Sequence, residues 1–238
     1  MIKKLSILVP AYNEEKTVGK ILKKVLVTEF GVPFEIIIIN DASTDRTRET
    51  IMQIAKDYPK LVTTLEHQTN LGKGAGIKTA LSRAKGDYVM IQDADLEYDP
   101  EDIARMVRLV NEDHKVIFGS RLIRLPVFTG RRKTPFLLHY FGNRLLSLVM
   151  SLLYGQWITD METCYKLFPK DILSKITLKS KGFEFEPEIT AKILKLGYKI
   201  KEIEIITKPR GYDEGKKIDT FKDGWRALYA IIKYRFTD

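Results

Sequence analysis

The 238-residue sequence has a single cysteine, Cys164, which excludes a disulfide framework and indicates a reducing compartment. It also lacks a long hydrophobic run. The longest uncharged stretch, 145–159, contains Ser, Gly and Gln and falls short of the roughly 20 apolar residues that span a bilayer. No secretory signal pattern opens the chain, because apolar residues give way to Tyr12, Asn13 and Glu14. These absences predict a cytoplasmic protein, soluble or peripheral on the cytoplasmic face of a membrane.

Acidic residues are missing from one long segment. Between His114 and Thr159 there is no Asp or Glu, although basic residues continue throughout. Within it, 134–159 carries no charge apart from Arg144 and is long enough for one or two helices. Two interpretations are open: a buried core helix, or an amphipathic segment lying on a membrane surface with basic side chains at the headgroups. The net charge of +9 favours anionic partners in general.

The first half of the chain alternates short apolar runs with amphipathic segments. Strands are predicted near 5–9, 35–39, 61–66 and 88–92, and helices near 15–28, 45–56, 74–84 and 100–112. This order predicts an α/β fold with a mostly parallel central sheet and helices on both faces. The unbroken run Ile36 to Ile39 is typical of a strand covered on both faces. Further along, 199–207 is strand-like, and a last helix is predicted from about Thr220 to Phe236.

Acidic side chains directly follow two of these strands. Asp93 and Asp95 come after the strand near 88–92, with Glu97 two residues further on, and Asp41 follows the strand of isoleucines. Ligands of an open parallel sheet bind beyond the carboxyl ends of its strands, so these side chains are expected in one crevice. Hard oxygen ligands there suit Mg²⁺ or Mn²⁺ shared with substrate phosphates. A solvated acidic turn is the alternative.

A glycine-rich segment, 72–76, follows a strand and opens a helix. It has neither the G-x-G-x-x-G spacing of dinucleotide sites nor the G-K-[ST] of a P-loop. We therefore predict a close-approach turn at a helix start, with phosphate contact by Lys73 or the backbone amides as the lesser alternative. The histidines are scattered and Cys164 has no nucleophilic context, so Cys164 is assigned to the core.

Four motifs in the first half together resemble glycosyltransferase family 2, whose members have the GT-A fold. They are Val9-Pro10-Ala11-Tyr12-Asn13-Glu14-Glu15, Asn40-Asp41-Ala42-Ser43-Thr44-Asp45, Asn70-Leu71-Gly72-Lys73-Gly74 and Asp93-Ala94-Asp95. In the second half, Phe118-Gly119-Ser120-Arg121, Asp160-Met161-Glu162-Thr163-Cys164-Tyr165-Lys166 and the segment 209–224 resemble the polyprenyl-phosphate sugar synthases, the dolichol-phosphate mannose synthase group. The resemblance implies one domain over 1–238. A nucleotide-sugar-binding half would cover 1–118, and an acceptor-binding half, with the amphipathic segment 134–159, would cover 119–238.

The resemblance implies an inverting transfer of mannose or glucose from a GDP- or UDP-sugar to a polyprenyl or dolichyl phosphate. Mg²⁺ or Mn²⁺ would be the cofactor, peripheral membrane contact is expected and nucleic acid is not a partner. The implied contacts with base and ribose are Pro10, Tyr12, Glu14, Ile39 and Asp41, those with ribose or sugar are Asp93 and Ala94, and the implied metal ligands are Asp95 and Glu97, with Asp93 beside them. Arg121, Arg210 and Lys216 would meet the diphosphate or the acceptor phosphate, and Asp95, Arg121 and Arg210 are the residues expected to act in catalysis.

Other functions stay open at this point. A hydroxyl acceptor, as in cell-surface polysaccharide synthesis, would need a general base, for which Asp160 and Glu162 are candidates. A nucleotidyltransferase that makes nucleotide sugars is disfavoured because 10–15 is neither glycine-rich nor basic. A non-catalytic nucleotide-binding or nucleic-acid-binding protein is disfavoured because crevice acids repel phosphates without a metal. Segment 209–218 is predicted to be a mobile loop that closes over the bound donor.

Overall fold

The computed structural model describes residues 1–126, 137–210 and 220–237. Its strands are β1 (Leu5–Ala11), β2 (Phe34–Asn40), β3 (Val62–Glu66), β4 (Tyr88–Ile91), β5 (Val116–Ser120), β6 (Lys166–Pro169) and β7 (Ile200–Glu204). Its helices are α1 (Val18–Val27), α2 (Thr47–Asp57), α3 (Lys73–Leu81), α4 (Pro100–Leu109), α5 (Leu137–Tyr154), α6 (Phe185–Lys195) and α7 (Thr220–Phe236), and a 3₁₀ turn covers Lys170–Ser174.

The strands form one seven-stranded sheet in the order β3-β2-β1-β4-β6-β5-β7. In this sheet β6 alone is antiparallel to its neighbours, β4 and β5. The predicted α/β class with a mostly parallel sheet is therefore confirmed. Ile36 to Ile39 are at most 1% exposed, and since successive side chains of a strand point to opposite faces, both faces of β2 are covered.

The sheet topology fixes where a ligand can bind. From β1 the chain builds outward through β2 and β3, then returns to place β4 on the other side of β1. The order reverses between β1 and β4, and the crevice beyond the carboxyl ends of strands at such a switch point is the usual ligand site of open α/β sheets. Because β6 runs the opposite way, the segment that precedes it reaches the same edge as the residues that follow β4 and β5.

Several elements differ from the prediction. Strands β5 and β6 and helix α6 were not predicted. Strand β6 gives a weak sequence signal because it is only four residues long, begins with a lysine and ends with a proline. The first helix begins at Val18 and not near residue 15, since the Glu14 carbonyl accepts the N–H groups of Thr17 and Val18 in a preceding turn. The predicted last helix, α7, has the bounds expected. The division into halves at residue 118 stays a prediction.

Helix α5 decides part of the question about segment 134–159. Residues 134–136 lie outside the described part of the chain. Tyr140, Ser147, Met150 and Ser151 are buried, whereas the apolar side chains of Leu138, Phe141, Leu145, Leu148 and Leu152 are exposed. The interpretation as a fully buried core helix is therefore wrong, and α5 presents an apolar stripe outward. No described helix is long and apolar enough to cross a bilayer.

Candidate active site

Three carboxylates from distant parts of the chain converge on one guanidinium at the switch point. Arg210 places Nη1 3.0 Å from Glu14 Oε2, Nη2 3.1 Å from Asp95 Oδ2 and Nε 3.7 Å from Glu97 Oε1. The Arg210 backbone N–H also donates to Glu97 at 3.0 Å. These groups come from the loops after β1, β4 and β7, so the sheet brings together four residues that the sequence assigned to the site. We call Glu14, Asp95, Glu97 and Arg210 the acidic cluster.

Among the described residues, Asp95 and Glu97 hold more negative charge than the Arg210 guanidinium they share can balance. Burial raises the pKa of Asp95 to about 7, and the nearby carboxylates of Asp93 and Glu97 act in the same direction. Hard carboxylate oxygens that repel one another in this way fit a divalent cation. Within the described residues, no three His, Cys, Asp or Glu side chains are arranged to hold one ion. Asp95 and Glu97 therefore fit a cation that takes its other ligands from phosphate and water.

Asp93, the third predicted metal ligand, lies in a different set of contacts. Lys73 places its Nζ 2.9 Å from Asp93 Oδ1 and 3.2 Å from Glu186 Oε1. Glu186 in turn pairs with the fully buried Lys166 at 2.5 Å. Burial opposes ionisation of Asp93, but Lys73 outweighs it and lowers the Asp93 pKa. The structure thus brings Asp95 and Glu97 together and directs Asp93 to Lys73, so a metal role for Asp93 stays a prediction.

The partly buried Arg121 and the fully buried Asp160 form a bidentate pair at the ligand edge of the sheet. Arg121 Nε donates to Asp160 Oδ2 at 2.7 Å and Nη2 donates to Oδ1 at 2.8 Å, while the Arg121 backbone N–H adds a contact at 2.9 Å. Asp160 has no exposed surface. Burial disfavours the Arg121 charge, but Asp160 outweighs it and holds the Arg121 pKa well above its usual value. With both carboxylate oxygens occupied, Asp160 is not available as a general base, which corrects one of the two base assignments.

Asp41 organises the turn that follows β3. Its carboxylate accepts the backbone N–H groups of Leu71 at 2.9 Å and Gly72 at 2.8 Å. His67 Nδ1 lies 2.6 Å from Asp41 Oδ1, a contact that the sequence analysis missed. His67 follows β3 as Asp41 follows β2, so its position after a parallel strand was the available signal. The nucleotide-binding role of Asp41 stays a prediction.

Gly72 confirms the predicted close-approach turn. Its φ of +94° favours glycine, and a Cβ there would lie 2.6 Å from the Lys181 carbonyl oxygen. Two predicted nucleotide contacts, Pro10 and Ile39, pack together against Gly76 of α3, with distances of 3.6 and 3.1 Å to the position of a Cβ.

The remaining assigned residues are placed only in part. Ala94 is buried at the same edge, and Tyr12 is half-buried in the loop after β1. Cys164 is buried, as predicted for a core residue. Lys216 and residues 211–218 of the predicted closing loop lie outside the described residues, so the loop stays a prediction.

Comparisons with known proteins agree with this geometry. Residues 6–177 match the family described as Glycosyl transferase family 2. The chain is 30% identical over 236 residues to the low-salt glycan biosynthesis hexosyltransferase Agl6 of Haloferax volcanii, covering 96% of this chain and 53% of that one. It is 29% identical over 217 residues to the dolichyl-phosphate beta-glucosyltransferase ALG5A of Trichomonas vaginalis, covering 84% and 64%. This chain therefore spans between half and two thirds of the length of these relatives.

A solved structure shares the fold. Glucosyl-3-phosphoglycerate synthase from Mycobacterium tuberculosis, in complex with Mn²⁺, UDP and phosphoglyceric acid, superposes with a TM-score of 0.73. The sequence identity is 17%, and the match covers 99% of this chain and 80% of that one.

We predict that Asp160→Asn destabilises the fold by about 2 kcal/mol or more, because it leaves the partly buried Arg121 guanidinium without its counter-charge. Glu204→Gln is the matched control, since Glu204 pairs with the exposed Arg124 and an exposed pair contributes about 0–1 kcal/mol. Urea unfolding of both variants measures the difference. A loss in Asp160→Asn no larger than that in Glu204→Gln would contradict this account of the pair.

Proposed function

Because this chain belongs to glycosyl transferase family 2, we propose that it is an inverting hexosyltransferase that moves glucose or mannose from a nucleoside-diphosphate sugar to a polyprenyl phosphate. The observation that carries the proposal is that the carboxylates of Glu14, Asp95 and Glu97 converge on the Arg210 guanidinium at the switch point of the sheet. A nucleoside diphosphate with a bound divalent cation fits such a site, because the carboxylates bind the cation and the arginine binds the phosphates. Both a UDP-sugar and a GDP-sugar are compatible with it.

Asp95 and Glu97 would hold Mg²⁺ or Mn²⁺, which neutralises charge on the leaving diphosphate when bound. The neighbour that carries Mn²⁺ and UDP supports this assignment. Arg210 then becomes available to the diphosphate, because its carboxylate partners turn to the ion. Pro10 would flank the base, whereas Ile39 has no exposed surface and is not available to it. Arg121, held by Asp160, would present its guanidinium edge to a phosphate.

A phosphate acceptor fits the site better than a hydroxyl acceptor. The acceptor phosphate is already anionic near neutral pH, so its attack on the anomeric carbon needs alignment more than it needs a base. A hydroxyl would need a base. Asp160 is committed to Arg121, which leaves Glu162 as the remaining candidate, and a separate role for Glu162 is argued below. The name of the Trichomonas vaginalis relative, a dolichyl-phosphate glucosyltransferase, supports the same choice. Attack from the face opposite the diphosphate inverts the anomeric centre.

A polyprenyl acceptor lies in a membrane, and one surface of the protein suits that position. Helix α5 packs against α7, since the Tyr154 hydroxyl donates to the Ile231 carbonyl at 2.9 Å, and both helices carry exposed apolar side chains. We call the following side chains the apolar face: Leu138, Phe141, Leu145, Leu148, Leu152, Trp157, Trp225, Tyr229, Ile232 and Phe236, all of them exposed. Trp157 and Trp225 are the two tryptophans of the chain and are 63% and 71% exposed.

Basic side chains border the apolar face. The Arg144 guanidinium lies 5.8 Å from the centre of the Trp157 ring, and Lys233 Nζ lies 5.7 Å from that of Tyr229. Aromatic rings with adjacent cations are typical of helices that lie at the headgroup level of anionic membranes. A membrane-surface position was one of the two interpretations of the segment without acids, and the exposed aromatic and basic side chains of α5 and α7 support it.

We predict that the protein with Mn²⁺ transfers sugar from a UDP- or GDP-hexose to a short polyprenyl phosphate, and that Asp95→Asn lowers the rate at least about 100-fold, since it removes a ligand of the ion. Asp171→Asn, an exposed acid paired only with Lys175, is the control and should keep the wild-type rate. The assay counts labelled lipid product alongside free sugar. Transfer to hydroxyl acceptors alone, or full activity of Asp95→Asn, would overturn the proposal.

We also predict that vesicles carrying a quencher in their acyl chains quench the fluorescence of both tryptophans. Trp157→Phe leaves only Trp225, in α7, and Trp225→Phe leaves only Trp157, which follows α5, so the two parts of the apolar face are tested separately. Binding should be stronger to anionic than to neutral vesicles and should weaken as the Debye length falls from about 10 Å at 0.1 M salt to about 3 Å at 1 M. If neither variant is quenched by any vesicle, the apolar face does not meet a bilayer.

A further inference from the structure

The region around Lys73, Lys166 and Arg121 contains one carboxyl group without a counter-charge among the described residues. Its three cations are matched one to one by three carboxylates: Lys73 with Asp93, Lys166 with Glu186 and Arg121 with Asp160. Glu162 is the carboxyl group left over. Among the described residues its side chain forms no ion pair, and its Oε1 is buried with no hydrogen-bond partner.

The topology places Glu162 at the ligand edge of the sheet. It lies four residues before β6, whose first residue sits at the edge where β4 and β5 end. Asp160, two residues earlier, holds Arg121, which follows β5 directly. Glu162 is half-buried, so part of it still reaches solvent. A carboxyl group at this edge can therefore contact a bound substrate.

The charged groups around Glu162 do not supply a free cation. They come from three packed elements: Lys166 from β6, Glu186 from α6, and Arg121 and Asp160 from the segments beside β5 and β6. Lys166 already donates to Glu186 and to the carbonyls of Met161 and Thr163, which uses its three N–H groups. Burial raises the pKa of Glu162 to about 7, and Glu186 and Asp160 add to the effect against Lys166 and Arg121.

We propose that Glu162 is a neutral carboxylic acid in the working enzyme and donates its O–H to a substrate oxygen, either a hydroxyl of the transferred sugar or an oxygen of the acceptor phosphate. This inference rests on the proposed function and goes beyond it, because it assigns a binding role opposite to that of a general base. A neutral acid can approach a phosphate without repulsion, whereas a carboxylate would repel it. A hydrogen bond from the protonated Glu162 to substrate would also give its carboxyl group the partner that it lacks among the described residues.

The sign of the pH dependence separates the two roles. A hydrogen-bond donor is lost as pH rises through the Glu162 pKa, so transfer should fall above about pH 7, approaching tenfold per pH unit. If Glu162 were a general base, the transfer rate would instead rise with pH over the same range. Asp95 titrates there too when no cation is bound, so the profiles are measured at saturating Mn²⁺.

The test compares Glu162→Gln with Glu162→Ala, with Glu101→Gln as an exposed control in the first turn of α4. Glutamine keeps an N–H donor and cannot ionise. We expect Glu162→Gln to retain transfer within about threefold at pH 6 and to lose the fall above pH 7, while Glu162→Ala loses at least about tenfold at pH 6. Thermal unfolding checks that both variants fold. Equal loss in folded Gln and Ala variants would overturn the inference in favour of a base.

Two binding measurements on Glu162→Ala identify which substrate oxygen accepts the hydrogen bond from Glu162. If the sugar is the ligand, Glu162→Ala weakens binding of the nucleotide sugar but not of the free nucleoside diphosphate. If the acceptor phosphate is the ligand, the same variant raises the KM for the polyprenyl phosphate and leaves donor binding unchanged. Loss of transfer in Glu162→Ala with neither change would contradict a contact between Glu162 and substrate.

An infrared measurement tests the protonation state without any turnover. The difference spectrum of wild type minus Glu162→Gln should contain the C=O stretch of a protonated carboxyl group at pH 6, and that band should shrink to about a tenth of its full intensity by pH 8. Absence of the band at pH 6 would overturn the inference even if the enzyme is active. If no acceptor is glycosylated, the proposed function fails, and the infrared result still decides the state of Glu162.

Discussion

Charge balance among carboxylates gathered at one edge of the sheet is the constraint on which the rest of this structure depends. Parallel strands deliver acidic side chains to their common carboxyl edge, where burial makes each unpaired charge cost several kcal/mol. Asp93, Asp160 and Glu186 meet this constraint with a lysine or an arginine each. Asp95 and Glu97 both contact the guanidinium of Arg210, so among the described residues two carboxylates share one cation there.

Under the proposed function, the unequal balance would let one crevice serve both a donor and an acceptor. The proposed donor diphosphate would bring a divalent cation to Asp95 and Glu97. Around Arg121 and Lys166 the charges are paired, so a second anion could approach there at little cost in repulsion. The apolar face formed by α5 and α7 gives the proposed lipid acceptor a surface on the same domain.

The parts of this arrangement that depend on local sequence could be predicted. The alternation of apolar runs predicted β1 to β4, and the rule that ligands bind beyond parallel strands predicted that Asp41, Asp93 and Asp95 lie at one edge. The partners of these acids could not be predicted, since they come from remote segments. Lys166, at the start of a four-residue antiparallel strand, resembles a surface residue in the sequence, yet it has no exposed surface. The pairing of Asp160 with Arg121, 39 residues away, likewise appears only in the fold.

The most direct test of the account is the affinity of the acidic cluster for Mn²⁺, measured by electron paramagnetic resonance without nucleotide. The account predicts that Arg210→Ala binds Mn²⁺ about tenfold more tightly than wild type, because the ion no longer competes with a guanidinium for Asp95 and Glu97. Arg124→Ala, which removes an exposed arginine paired with Glu204, should bind the ion as wild type does. Mn²⁺ affinity in Arg210→Ala that equals or falls below that of wild type would contradict the assignment of these carboxylates as a cation site.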